Sequence, residues 1–176
     1  ANLWMARAYA GTVMLEGTTL SEGRGTTRPL EVIGAPDLPV EALLRTMQDL
    51  APQWLDGCRL RSTWFEPTFH KFTGQLCAGI QLHVDDTAYD HHAFRPWRLV
   101  ALAFKALRKL RPDYPLWRDF PYEYEHDRLA IDIINGSTLL RDWVDDSAAV
   151  PSDLDALALR DERDWQGRVA DLLIYR

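Results

Sequence analysis

The chain has 176 residues, 47% of them hydrophobic and 26% charged, which is enough length for one domain with a real core and excludes a disordered polypeptide. A net charge of −6, with Lys and Arg scattered rather than clustered, argues against a nucleic-acid partner. No apolar run is long enough to span a bilayer.

The opening "ANLWMARAYA" has neither an initiator Met nor an apolar leader, so the chain reads as a piece of something longer. Residues 8–17, "AYAGTVMLEG", are short and apolar, and periodicity leaves strand and helix both open. A polar loop, "MLEGTTLSEGRGTTRP" (14–29), follows and overlaps them. "PLEVIGAP" is then a short strand closed by Gly34 and Pro36. Residues 39–50 carry a leading Pro and apolar side chains at Val40, Leu43, Leu44, Met47 and Leu50, the spacing of a helix.

"RLRSTWFEPTF" and "CAGIQLHV" are rich in β-formers and predict two paired strands, with Pro67 at an edge or end. From Pro96, "PWRLVALAFKALRKLR" sets Val100, Ala103, Phe104, Leu107 and Leu110 on one helical stripe. Arg98, Lys105, Arg108 and Lys109 fall mostly off that stripe, and Pro112 stops the helix. "LAIDIINGSTLLRDWV" predicts a helical segment, a break at Asn135-Gly136 and a second helix capped by Ser137. The tail, roughly 152–172, is helical with Trp165, Val169 and Leu172 on one side. Few strands with segregated helices make a single α+β domain, its small sheet mixed or antiparallel.

Three stretches have residues suited to chemistry. In the polar loop, Gly17, Gly23 and Gly25 permit close backbone approach, and Glu16 and Glu22 suit acid, base or nucleophile roles. Arg24 and Arg28 suit an anion or a neighbouring carboxylate. A solvated turn with incidental ion pairs explains the same composition. In "WFEPTFHKFTGQLC", Glu66, His70 and Lys71 lie among aromatics, as in small-ligand sites, although a strand end packing its aromatics inward reads the same way. "HVDD" (83–86) and "DHHAF" (90–94) gather His and Asp, but without ligand spacing, so no metal is expected. Cys58 and Cys77 also lack such spacing; a bridge between them stays open, with two buried thiols favoured. Neither G-x-G-x-x-G nor a P-loop is present, and no cofactor is expected.

The polar loop, together with "FEPTFHKFTGQLCAGIQLHVDD", resembles the C-terminal domain of bacterial exo-β-N-acetylmuramidases of the NamZ type, a family long classed as of unknown function. The resemblance runs over essentially the whole chain, 1–176, including the ending "DWQGRVADLLIY". The family's E-G-T-N-x-S-x-G-R-G-T stretch falls on Glu16, Gly17, Thr18, Thr19, Ser21, Gly23, Arg24, Gly25 and Thr26, with Arg28 and Pro29 following. Thr19 stands where the family has Asn. The F-x-P-x-F-x-K-x-x-G stretch falls on Phe65, Pro67, Phe69, Lys71 and Gly74, and His83 takes the family's "HV-D" position.

This resemblance implies a parent that removes terminal N-acetylmuramic acid from the non-reducing ends of peptidoglycan fragments. It also implies a periplasmic or secreted location. An N-terminal Rossmann-like domain, absent from this chain, would form the other wall of the cleft. Glu16 and Glu22 become the catalytic candidates, and Thr18, Arg24, Thr26, Arg28, Phe69, Lys71 and His83 the substrate-binding ones. Arg24, Arg28 or Lys71 would receive the lactyl carboxylate of muramic acid. Either both glutamates act, or one acts while the other orients Arg24, or the missing domain supplies the acid–base chemistry. The alternatives are a non-catalytic carbohydrate-binding or lid domain, and a structural or dimerisation domain.

Overall fold

A computed structural model describes residues 2–174. The ambiguous start is helical: α1 covers Leu3–Thr12 and tightens into a 3₁₀ turn over Val13–Gly17. The strands are β1 (Val32–Ala35), β2 (Arg59–Phe65) and β3 (Cys77–His83). They form one antiparallel sheet in the order β1-β3-β2, with Ile33 opposite Ile80 and Leu60 opposite Leu82. The central strand β3 is buried from Cys77 to Leu82, whereas the edge strand β2 alternates between half-buried and exposed.

Gly34 lies inside β1 rather than closing it. It pairs with Gly79 across the ladder, and the bare pair makes a seat for the Phe65 ring. A Cβ on Gly34 would stand 2.6 Å from Phe65 Cε1, and that contact is what the strand keeps glycine for.

The helices α2 (Val40–Leu50) and α3 (Pro96–Leu110) begin and end as their prolines and apolar spacing predict. α3 is the core helix: every residue from Arg98 to Leu107 is buried, and it packs against α1, α2 and α5 (Leu139–Asp145). Two of the four charges read as lying off its stripe are therefore inside. Lys105 donates to Trp143 O (2.7 Å) and Asp146 O (2.5 Å), satisfying carbonyls at the C-terminal end of α5. Arg98 reaches α6 (Pro151–Val169), donating to Asp155 (2.6 Å) and Glu162 (2.5 Å). Long stems carried these charges through apolar surroundings to polar partners, which a helical wheel does not show.

α4 (Ala130–Ile134) and α5 are separated at Asn135-Gly136 as expected. The cap differs. Thr138, in helical conformation and without a side-chain bond, precedes α5, while Ser137 accepts from Asn135 Nδ2. In α6 only Leu154 is buried, and Trp165 is 63% exposed, so the tail helix does not seat the apolar side read from its sequence. Cys58 is half-buried and Cys77 buried, both as free thiols; burial pushes them up to about 12 and about 11. No described helix is long and apolar enough to cross a membrane.

Candidate active site

The loop after the 3₁₀ turn is held on both sides. Ser21 exchanges two backbone hydrogen bonds with Gly34 at the edge of β1 (2.7 and 3.0 Å). On the other side, Thr19 N–H donates to Leu116 O (2.8 Å) and Arg118 N–H donates to Gly17 O (3.1 Å). The loop thus lies between the sheet edge and the irregular segment 111–129, and its conformation is fixed by backbone pairing rather than by solvent.

Gly25 adopts φ +80°, a conformation glycine takes without steric cost. A Cβ there would also meet Thr68 Oγ1 at 1.7 Å. Its absence lets Thr68 N–H donate to Arg24 O (3.0 Å) and lays the Pro67–Lys71 segment over the loop. His70 and Phe72 are both left-handed (φ 70° and 57°). Such strained residues cluster at sites where surrounding contacts impose the shape. Lys71, between them, is turned inward.

Lys71 is the buried clamp of the loop. Its ammonium donates to Leu15 O (2.7 Å), Thr18 O (3.2 Å) and Leu20 O (2.5 Å), and it ion-pairs with Glu22 Oε2 at 2.7 Å. Burial pulls Lys71 down to about 8 against the opposing pull of Glu22. Glu22 is itself fully buried. Burial pushes its carboxyl up, but Lys71 and Arg24 outweigh that and hold it below the ordinary value. Glu22 is therefore an anion enclosed by cations, with Arg24 Nε bonded to its other oxygen.

Glu16 is placed differently. Arg24 Nη2 donates to its Oε1 at 2.7 Å and the Tyr122 hydroxyl to its Oε2 at 3.0 Å. Burial and the Glu16 contact push the Tyr122 phenol up to about 12, so it stays a donor. Glu16, Arg24, Phe69, His70, Arg118, Phe120 and Tyr122 line a recess of about 230 Å³. Three of its walls are aromatic, and its volume is near the lower end of small-ligand sites, roughly 300 Å³. Burial lowers His70 below its ordinary value, with Lys71, Arg118 and Arg24 adding to that against Glu22.

The remaining expected residues lie elsewhere. Thr18 and Thr26 shape the loop: their hydroxyls donate to Leu15 O (3.0 Å) and Gly23 O (2.7 Å). Arg28 pairs with Glu31 (2.9 Å) and Asp85, and His83 Nδ1 lies 3.6 Å from Asp85. Arg28's hydrogen bond lowers Asp85, while burial raises Glu31. None of these residues lines the recess. Glu66 is exposed. Among the described residues no group of three or more His, Cys, Asp or Glu could hold a metal ion.

Sequence reasoning left out Arg118, Phe120 and Tyr122, about a hundred residues from Glu16 in a segment without periodicity. A larger recess of about 380 Å³ lies beneath α6, but its lining is mostly apolar and its Arg98 is already paired with Asp155 and Glu162. The smaller one has the loop's Glu16 and Arg24 in its lining.

Comparison with known proteins places the chain in a family. Over 78 residues the chain is 47% identical to the peptidoglycan β-N-acetylmuramidase NamZ of Bacillus subtilis strain 168, covering 44% of this chain and 18% of that protein. Two crystal structures of DUF1343 family proteins from Bacteroides fragilis NCTC 9343 share the fold. Their TM-scores are 0.66 and 0.61 at 19% and 18% identity, with 97% and 98% of this chain and 42% and 41% of theirs covered. The chain thus spans less than half the length of these relatives. A family model described as "Exo-beta-N-acetylmuramidase NamZ, C-terminal" matches residues 7–175, and the chain belongs to that family of C-terminal domains.

Proposed function

We propose that this chain forms one wall of a glycosidase active site that removes terminal N-acetylmuramic acid from the non-reducing ends of peptidoglycan fragments. The parent protein carries the other wall on an N-terminal Rossmann-like domain. The observation behind this reading is the recess itself, where a doubly hydrogen-bonded carboxylate, Glu16, sits among Phe69, Phe120 and Tyr122. Membership of the NamZ C-terminal family supports this substrate class.

Glycoside hydrolysis develops positive charge on the sugar and ordinarily uses two carboxyl groups. Both Glu16 oxygens accept hydrogen bonds, an arrangement suited to an anion facing an oxocarbenium-like transition state. Glu22 is enclosed by Arg24 and Lys71; its role is to position Arg24, which in turn holds Glu16. The second reacting carboxyl group then comes from the other domain. This shortage also favours a second reading, in which the chain binds and orients the saccharide while all bond-breaking groups lie upstream.

Turnover of a chromogenic N-acetylmuramic acid glycoside by the parent protein separates the two. We expect Glu16→Gln to lose about a hundredfold or more in kcat, the size of a lost transition-state interaction. Loss in KM alone supports the binding reading. Near-normal turnover in both Glu16→Gln and Glu22→Gln refutes any catalytic part for this chain.

A further inference from the structure

Muramic acid differs from glucosamine by a lactyl ether carrying a carboxylate, so a site that selects it needs a cation not already engaged. Within the loop and its surroundings the cations can be counted against their partners. Arg24 is shared between Glu16 and Glu22. Lys71 is spent on Glu22 and three backbone carbonyls. Arg28 is paired with Glu31 and Asp85, outside the recess. Recruiting any of these would strip a buried carboxylate of its counter-ion, at the cost of breaking a buried pair.

Arg118 alone among these cations forms no ion pair with any described residue, and it lines the recess. Its backbone is pinned to Gly17 by the 3.1 Å hydrogen bond. Its guanidinium carbon lies 4.0 Å from the centre of the Phe120 ring, a stacking contact that fixes the plane of the fork and leaves its N–H edge for an acceptor. The recess and the loop behind it thus set Arg24 and Lys71 against Glu16 and Glu22, and the recess lining adds a further cation, Arg118, that has no ion pair among the described residues.

From this count we infer that Arg118 is the specificity residue of the site, receiving the lactyl carboxylate of muramic acid through bidentate charge-assisted hydrogen bonds. The inference rests on the saccharide reading of the recess given above. It moves the anion-binding role away from Arg24, Arg28 and Lys71, which hold the loop together, to a residue with no ion pair among the described residues. Arg118 is a binding residue in this account and takes no part in proton transfer.

Calorimetric titration of the parent protein with three methyl α-glycosides, which a β-glycosidase leaves uncleaved, tests this. The ligands are N-acetylmuramic acid, its lactyl methyl ester, and N-acetylglucosamine. The wild-type protein should bind the free acid about tenfold or more tighter than either neutral sugar, the range of a hydrogen bond to a charged group. Arg118→Gln should abolish that preference, so that acid and ester bind alike, and Arg118→Lys should keep part of it. A preference that persists in Arg118→Gln overturns the assignment to Arg118 and leaves the saccharide reading standing. Equal binding of acid and ester by the wild-type protein, which needs no variant to fold, overturns it too. If none of the three sugars binds, the recess is not a saccharide wall and both claims fall.

Discussion

Replacing Lys71 with Met should unfasten the loop that carries Glu16 and Glu22. The substitution keeps most of the stem but removes the donor to Leu15, Thr18 and Leu20 carbonyls and the counter-ion of Glu22. The Glu22 side chain is only 1% exposed and the Lys71 side chain 9%, so water does not replace what is lost. Removing one partner of such a buried pair costs about 3–5 kcal/mol, against a total stability of roughly 5–15 kcal/mol for a domain. For a chain of this size that corresponds to a fall in Tm of roughly 6–20 °C, measured by calorimetry at neutral pH. The double variant Lys71→Met/Glu22→Gln should recover part of the loss, because it removes the uncompensated charge along with its partner. A Tm within about 2 °C of wild type for Lys71→Met would refute the clamp.

Glu22 sets a pH dependence of defined sign. Its folded pKa lies below the ordinary 4.5, so the stability it contributes is fully present above that value and lost as pH falls through the folded one. Urea unfolding should therefore show the gap between wild type and Glu22→Gln narrowing from pH 6 to pH 3. Gly25→Ala should destabilise by about 1–3 kcal/mol, since φ is +80° and the new methyl meets Thr68. Adding Thr68→Ala should relieve the clash but not the backbone strain, again by urea unfolding. Arg98→Met should leave the core intact and loosen α6, whose only buried side chain is Leu154. Hydrogen exchange should then quicken in residues 155–169 while α3 stays protected. Tyr122→Phe removes one of the two donors to Glu16 and should lower kcat of the parent roughly tenfold, within the range of a lost charged hydrogen bond, with Tm little changed.

The strands and the core helix were legible because their patterns are local. The β-formers of 59–65 and 77–83 and the apolar spacing of α3 needed no tertiary information. The start of the chain was not, since a short, mostly apolar stretch fits strand and helix alike, and α1 packs against α3 as a helix. Charge placement was the least legible. Arg98 and Lys105 look solvent-facing on a wheel, yet both are buried because α6 carboxylates and α5 carbonyls come to meet them. The site was half legible. The loop motif pointed to Glu16 and Arg24 and the second stretch to Phe69, and all three line the recess. The motifs could not separate Glu16 from Glu22, because that distinction lies in what Lys71 and Tyr122 do across about fifty and about a hundred residues. Arg118 and Tyr122 have no signal in sequence: one Arg and one Tyr among several in an irregular segment look like surface until Gly17 and Glu16 are placed beside them.

If Glu16 meets the reacting sugar, a crystal structure of the parent protein with Glu16→Gln, holding an uncleaved N-acetylmuramic acid glycoside, will show it. The anomeric carbon should lie within about 3–4 Å of the residue 16 amide, close to reacting distance, with the sugar ring packed between Phe69 and Tyr122. A sugar bound in the recess beneath α6, or in the cleft with residue 16 out of contact, would contradict it.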